Sequence, residues 1–221
     1  MTLKSRLAFR FFIGMLVLGA LLFIPAGSFK FWQGWVYIAS YFALAILRFA
    51  YFYKHDPQLI ERTVQVREKM REQKRIIALV YVTLMFPFTL PGLDHRFGWS
   101  HSPLWLTIFS QAVVFCGGAI TFWAMKVNRF AAPTIQVGQG HELISSGPYC
   151  IVHHPMYLGV CAICLFTPVA LGSYLTLPAF VLLIPLIVRH LLREERVLRQ
   201  KLPGYAEYCH HTRFRLVPFL W

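Results

Sequence analysis

Charge is what this chain of 221 residues has least of. Only 14% of its residues are Asp, Glu, Lys or Arg, where a soluble domain carries about 25%. Acidic residues are the rarest, nine against 22 Lys and Arg. That deficit excludes a solvated globular domain of ordinary composition. It goes with 57% hydrophobic residues and with apolar runs near the ~20 residues that span a bilayer. No glycine-rich dinucleotide loop is present, and no nucleic-acid-binding motif accompanies the net charge of +13. In a soluble protein such a charge points to nucleic acid. Here the basic residues gather between apolar runs, where they orient a membrane protein. Cysteine is also sparse, with five in all. Most of them sit in or near apolar runs or on the expected cytoplasmic side, which excludes a disulfide framework. Cys161 and Cys164 form a CxxC inside an apolar run, where cysteine ordinarily acts as a small hydrophobe.

What remains reads as an all-α polytopic transmembrane protein of five to six spans. The first covers residues 7–26; Lys4, Arg6 and Arg10 followed by the apolar run 11–24 superficially resemble a signal peptide. No cleavage site follows Gly27 and Ser28, and a second apolar run begins at once, so a retained span is predicted. That second run, 31–53, opens on Trp32, Trp35 and Tyr37, rings that favour the membrane interface. Arg48 lies near its other end, within snorkelling reach of water. Residues 54–75 carry seven basic and four acidic side chains and predict an amphipathic helix with Ile60, Val64 and Met70 on lipid. A third span, 76–90, ends at Pro91 and Gly92, and an outer loop covers 93–102. The fourth span is 103–125. After a polar stretch, two short runs, 156–171 and 174–192, are separated only by Gly172 and Ser173 and predict a helical hairpin. Pro178 and Pro185 bend its second arm.

Six spans put both termini, 54–75, 126–155 and the tail on one side. That side holds 19 of the 22 Lys and Arg, leaving Lys30 and Arg96 opposite and Arg48 within a span. The positive-inside rule makes it cytoplasmic. Three polar elements converge there: residues 134–144, the stretch around Tyr149, His154 and Tyr157, and the helix end with His190, Arg193, Glu194, Glu195 and Arg196. Polar groups this close to lipid are costly unless paired or used. The pairs His153-His154 and His210-His211, with His141 and Cys150, match no standard metal spacing, and no metal is expected.

Gln136, His141-Glu142-Leu143-Ile144, Gly147-Pro148-Tyr149, His154-Pro155-Met156-Tyr157-Leu158-Gly159, Glu194-Glu195, Gly204-Tyr205 and Tyr208 follow one another in an order and spacing that resembles the isoprenylcysteine carboxyl methyltransferase family. These are integral-membrane enzymes that use S-adenosyl-L-methionine. The resemblance is strongest over 126–221. It extends to bacterial members through Asp56-Pro57-Gln58-Leu59, Gly92-Leu93-Asp94 and Phe97-Gly98-Trp99. It implies that Gln136, His141, Glu142, Leu143, Ile144, Tyr149, His154, Pro155, Met156, Tyr157 and Glu194 hold the cofactor, with His190, Arg193 and Glu194 at the transfer step. It implies two regions: 1–125, membrane helices with the amphipathic segment 54–75, and 126–221, the methyltransferase region with loop 126–155, hairpin 156–192 and tail 193–221. The acceptor would be a lipophilic small molecule or a prenylated carboxylate. Lipid surrounds the protein, no nucleic acid or obligate protein partner is expected, and the bacterial inner membrane is the expected location.

Three positions depart from the family's pattern, which has arginine at each: Cys150, His153 and His190. Four residues along a helix is about 400°, so His190 shares a face with Glu194, while Arg189 lies about 140° away. A protonated His190, Arg189 or Arg193 is left to orient a carboxylate. The other readings are a membrane reductase of the sterol-reductase type using NADPH, which the absent dinucleotide loop disfavours, and a non-catalytic membrane protein. Against a transporter, the charges gather at one interface and not at mid-membrane.

The topology is checked by fusing a cytoplasm-active reporter after Trp221. Strong cytoplasmic signal is expected, and a periplasmic or lumenal signal would reverse the orientation.

Overall fold

The computed structural model describes residues 3–56, 85–128 and 143–221. The amphipathic segment predicted over 54–75 therefore lies outside the described residues beyond Asp56, as does most of the third predicted span. The described chain is helical. α1 (Leu3–Ala26) and α2 (Trp32–His55) form an amino-terminal pair, joined by a turn at Gly27, whose φ is 60°. A single 3-10 turn (Phe86–Phe88) leads into α3 (Thr89–Phe97), and α4 (Leu104–Val127) follows. After a second 3-10 turn (Gly147–Cys150) come α5 (Pro155–Ala170), the short α6 (Leu177–Val181), α7 (Ile184–Lys201) and α8 (Tyr205–His211). Among the described residues, α2 and α4 are long and apolar enough to cross a membrane, and Phe11–Ala26 and Pro155–Ala170 are shorter apolar helices.

The hairpin predicted at Gly172-Ser173 is present, with Gly172 at a φ of 80° that glycine adopts freely. Its second arm is not one bent helix. It breaks between α6 and α7, with a proline in the first turn of each, where the missing N–H costs no helical hydrogen bond. The expected helix stop at Pro91-Gly92 is corrected. α3 runs through both residues, and the outer loop begins only at Gly98. Pro91 falls in the first turn, where proline is tolerated. Gly92 lies against α1, and a Cβ there would sit on the Leu22 carbonyl oxygen.

Arg48 also departs from expectation. Rather than extending to the interface, its Nη2 turns inward to α4, donating to the Gly118 carbonyl and to Thr121 Oγ1 at 2.5 Å each. Other interhelical bonds are polar and local. Gln111 Nε2 donates to the Gln33 and Ala170 carbonyls, and the Tyr37 hydroxyl pairs with Thr167 Oγ1 at 3.1 Å. On the side opposite the polar motif, buried Asp94 accepts from the Ser100 backbone N–H at 2.7 Å and from the Ser100 and Ser173 hydroxyls. The end of α3 is thereby tied to the hairpin turn.

The closest packing in the fold joins α4 to α5. Gly117 and Gly159 face each other so tightly that a Cβ on Gly117 would lie 2.8 Å from the Gly159 carbonyl oxygen. Small residues allow such backbone approach between apolar helices, where dispersion contacts and not water exclusion hold the pair. Gly159→Val is expected to destabilise the protein by about 1–3 kcal/mol through overpacking. Thermal unfolding of the detergent-purified protein measures this, and an unchanged midpoint would show that the two backbones do not meet at Gly159.

Candidate functional site

The polar motif is assembled at the cytoplasm-predicted ends of α4, α5 and α7, and the tail crosses it. Gly147 opens the turn at a φ of 62°, and Pro148 and Tyr149 are buried behind it. The Tyr149 hydroxyl accepts from Asn128 Nδ2 at 3.3 Å, at the end of α4. Its carbonyl accepts from the Tyr208 hydroxyl at 2.6 Å, on α8. Burial pushes the Tyr149 phenol up to about 12, against the Asn128 hydrogen bond and aided by the charge of Glu194. It is a neutral hydrogen-bonding wall, not a proton acceptor.

Residues 152–154 are extended and pair with the tail. Val152 bridges Phe214 in parallel, while the N–H groups of His153 and His154 donate to the Phe214 and Arg215 carbonyls at 2.9 and 3.0 Å. Pro155 then starts α5 with no N–H to satisfy. Its effect on the preceding residue keeps His154 out of the helix. His153 is buried and fixed further by Nε2 to the Thr212 carbonyl at 2.5 Å. His154 is 5% exposed, and its Nε2 has no hydrogen-bond partner among the described residues. Burial pulls the His154 imidazole down to about 4, with Glu195 opposing and His153 and Arg215 adding to the shift, so it is neutral near pH 7. A buried polar atom without a partner costs about 1–3 kcal/mol, and a bound polar group would relieve that cost.

One turn into α5, the Tyr157 hydroxyl donates to Glu194 Oε2 on α7 at 2.5 Å. Burial raises the Glu194 carboxyl above the usual carboxylate range, and the Tyr157 hydrogen bond and nearby His190 pull it back down. The His190 ring lies 6.0 Å from that of Tyr157, edge to face. His190 therefore lies beside the Tyr157–Glu194 pair, as the helical spacing predicted; it is itself exposed, as are Arg189 and Arg193. Leu143, Ile144 and Met156 pack half-buried against Tyr149, Tyr205 and Tyr208. Of the expected site residues, Tyr149, His154, Pro155, Met156, Tyr157, His190 and Glu194 thus share one neighbourhood, with Leu143 and Ile144 at its edge. Gln136, His141 and Glu142 lie outside the described residues.

The neighbouring carboxylate behaves differently. Glu195 is buried, and its two oxygens meet Arg199 at 2.7 Å and Arg215 at 3.3 Å. Burial raises its carboxyl, but the Arg199 hydrogen bond and both guanidinium charges outweigh that and leave it below the ordinary value. Adjacent residues on α7 therefore point to different tasks: Glu194 to the hairpin, Glu195 to the tail. His153, Glu195 and Cys209 bring three donor atoms within 4.8 Å of one another. Any cation there would compete with the two arginines for the carboxylate.

Sequence reasoning missed Asn128, Thr212 and the part Tyr208 plays in holding the Tyr149 carbonyl. Asn128 had a signal, an amide just beyond a long apolar helix. The tail's pairing with 152–154 had none, because it depends on a chain reversal some sixty residues away.

A search of known families finds that residues 105–203 match the family described as phospholipid methyltransferase. Among curated proteins, the chain is 31% identical over 139 residues to the cobalt-zinc-cadmium resistance protein CzcN of Cupriavidus metallidurans. That alignment covers 60% of this chain and 58% of the relative's length. The family match includes the second 3-10 turn, all of α5 and Glu194, and leaves Gly204, Tyr205 and Tyr208 outside. Residues 105–203, a little under half of the chain, are thus similar to that family, and the chain spans less than two thirds of the length of the curated relative it matches.

Proposed function

We propose that this chain is an S-adenosyl-L-methionine-dependent methyltransferase that acts on a lipophilic acceptor at the cytoplasmic face of a membrane, with lipid and the hairpin keeping water from the site. The observation that carries the reading is the Tyr157–Glu194 hydrogen bond beside the unpartnered Nε2 of buried His154, inside the region matched by a methyltransferase family.

The donor set fits the cofactor chemically. When bound, S-adenosyl-L-methionine supplies a cationic sulfonium whose methyl group is open to in-line attack. Glu194, held by Tyr157, offers negative charge toward a cationic ligand. His154 Nε2 offers one hydrogen bond to a polar group. The Tyr149 and Tyr157 rings present aromatic faces, which attract cations. Leu143, Ile144 and Met156 form an apolar flank. Such a transfer needs little proton movement, so the chain's main contribution is alignment and water exclusion. Alignment alone is worth roughly 7–11 kcal/mol. His190, on the same side of α7 as Glu194, is positioned toward an acceptor that enters between the hairpin arms from the bilayer.

A second reading follows the name of the relative, a metal resistance protein. Its one geometric support is the approach of His153, Glu195 and Cys209. The engagement of both Glu195 oxygens by arginine weighs against it.

Calorimetry of the full chain in detergent with S-adenosylhomocysteine and, in parallel, NADPH separates the enzyme readings. Binding of the first alone is expected. Glu194→Gln should weaken S-adenosyl-L-methionine by roughly tenfold or more, as loss of a charge-assisted contact does, and weaken S-adenosylhomocysteine, which lacks the sulfonium charge, less. Binding of neither up to millimolar concentration would refute both enzyme readings.

The affinity should also depend on pH in one direction. Burial raises the Glu194 carboxyl, so its charge is lost earlier than usual as pH falls. His154, at about 4, stays neutral over the same range. Affinity for S-adenosyl-L-methionine should therefore decline as pH falls toward the carboxylate range, sooner than an ordinary carboxylate would lose its charge, and Glu194→Gln should flatten the decline. A wild-type profile that is already flat would remove Glu194 from the cofactor site.

A further inference from the structure

Beyond the proposed methyl-transfer site, the tail and the end of α7 border an open cavity of about 350 Å³. Arg199, Arg213 and Arg215 line it, with Phe214, Leu220 and Trp221. It lies on the Glu195 side of α7, away from Glu194. Among the described residues, the lining holds three guanidinium groups and no acidic side chain, while Glu195, which is not part of it, pairs with Arg199 and Arg215. The surplus of positive charge decides what the cavity takes. His153 and Cys209 also line it and are metal-ligand types, but a divalent cation would enter an already cationic space. An anion would be drawn in, and guanidinium groups match phosphate oxygens in geometry as well as charge.

The apolar part of the tail indicates where that anion comes from. Leu216 and Val217 pack against Cys161, Leu191, Ile184 and Ile187, so the tail folds back along the apolar half of α7. The chain then makes a tight turn, with the Leu220 and Trp221 N–H groups donating to the Val217 carbonyl. Phe219 sits in this turn at a φ of 65°, in the left-handed region that a bulky side chain rarely adopts. The turn leaves Phe219 91% and Leu220 81% exposed. Large apolar side chains held out from the protein beside an arginine cluster match a lipid surface, with the rings among acyl chains and the cations at headgroup level. Arg215, 5.7 Å from the Trp221 ring centroid, joins the two parts.

We infer that this cavity binds the phosphate headgroup of an anionic membrane lipid, with the Phe219–Leu220 turn in the adjoining acyl region. The site is separate from the methyl-transfer site and does not depend on the identity of the acceptor. By holding the lipid it would fasten the tail, whose carbonyls pair with residues 153 and 154, against the membrane.

The test uses delipidated full chain in detergent, titrated with dioctanoyl phosphatidylglycerol, dioctanoyl phosphatidylcholine, inorganic phosphate or zinc ion, and followed by native mass spectrometry. Phosphatidylglycerol is expected to bind roughly tenfold more tightly than phosphatidylcholine, and Arg213→Gln to remove most of that difference. Phe219→Ser should weaken phosphatidylglycerol and leave inorganic phosphate unchanged. Both side chains are exposed, so neither change threatens the fold. Equal binding of the two lipids, or an Arg213→Gln protein indistinguishable from wild type, would overturn the proposal. So would inorganic phosphate binding as tightly as the lipid, which would mark a site for free anions. Zinc binding lost in Cys209→Ser, without any preference for the anionic lipid, would assign the cavity to a metal instead.

Discussion

The contact on which the rest depends is the backbone approach of α4 and α5 at Gly117 and Gly159. No side chain separates the two helices there. In a bilayer that closeness replaces the hydrophobic effect as the source of helix association. Gly159 lies two residues beyond Tyr157, so the register of this contact sets how far the start of α5 projects from the apolar layer. It also sets the height of His154 and Tyr157 against Glu194 on α7. Thr121, one turn further along α4, accepts from Arg48 of α2, so the same segment of α4 carries contacts in two directions.

Around that anchor the polar groups divide by face. Glu194 and Glu195 are consecutive, and consecutive helical residues point about 100° apart. One carboxylate turns to the hairpin, where a tyrosine hydroxyl holds it beside a buried neutral histidine. The other turns to the tail, where two arginines hold it. Burial acts on both, and the partners decide the outcome: without a cationic partner in direct contact Glu194 stays raised, and with two guanidinium groups Glu195 falls below the ordinary value. His153 and His154 divide in the same way. The first is satisfied by Thr212, and the second keeps an unpartnered nitrogen. In each pair of like residues, one side chain is thus engaged by the tail and the other is turned to the hairpin side.

The departures from the family's pattern gain a physical setting from this division. His153 occupies a position walled by the tail, with Thr212 taking its Nε2 and Phe214 its N–H. Cys150 is exposed and bonded locally to the Gly147 carbonyl. Neither faces the Tyr157–Glu194 pair. His190 does, its ring lying 6.0 Å from that of Tyr157.

Much of this was legible in the sequence. Apolar runs marked α1, α2, α4 and α5, because burial in lipid demands continuous apolar composition. Gly172-Ser173 marked the hairpin, because few other pairs reverse a chain so sharply. The helical repeat placed His190 on the face of Glu194. The sequence misplaced what depended on neighbours. It ended a helix at Pro91-Gly92, where the close approach of α1 allows the helix to continue. It sent Arg48 to the interface, where the bare carbonyl of Gly118 offers a nearer partner. The tail read as a basic extension, because nothing in its composition announces a pairing with residues 152–154. Periodicity and composition are local properties of the chain, and they determine which segments are helical and which face is apolar. Which polar atom meets which partner depends on how helices distant in sequence come together, and that was decided by the tertiary structure.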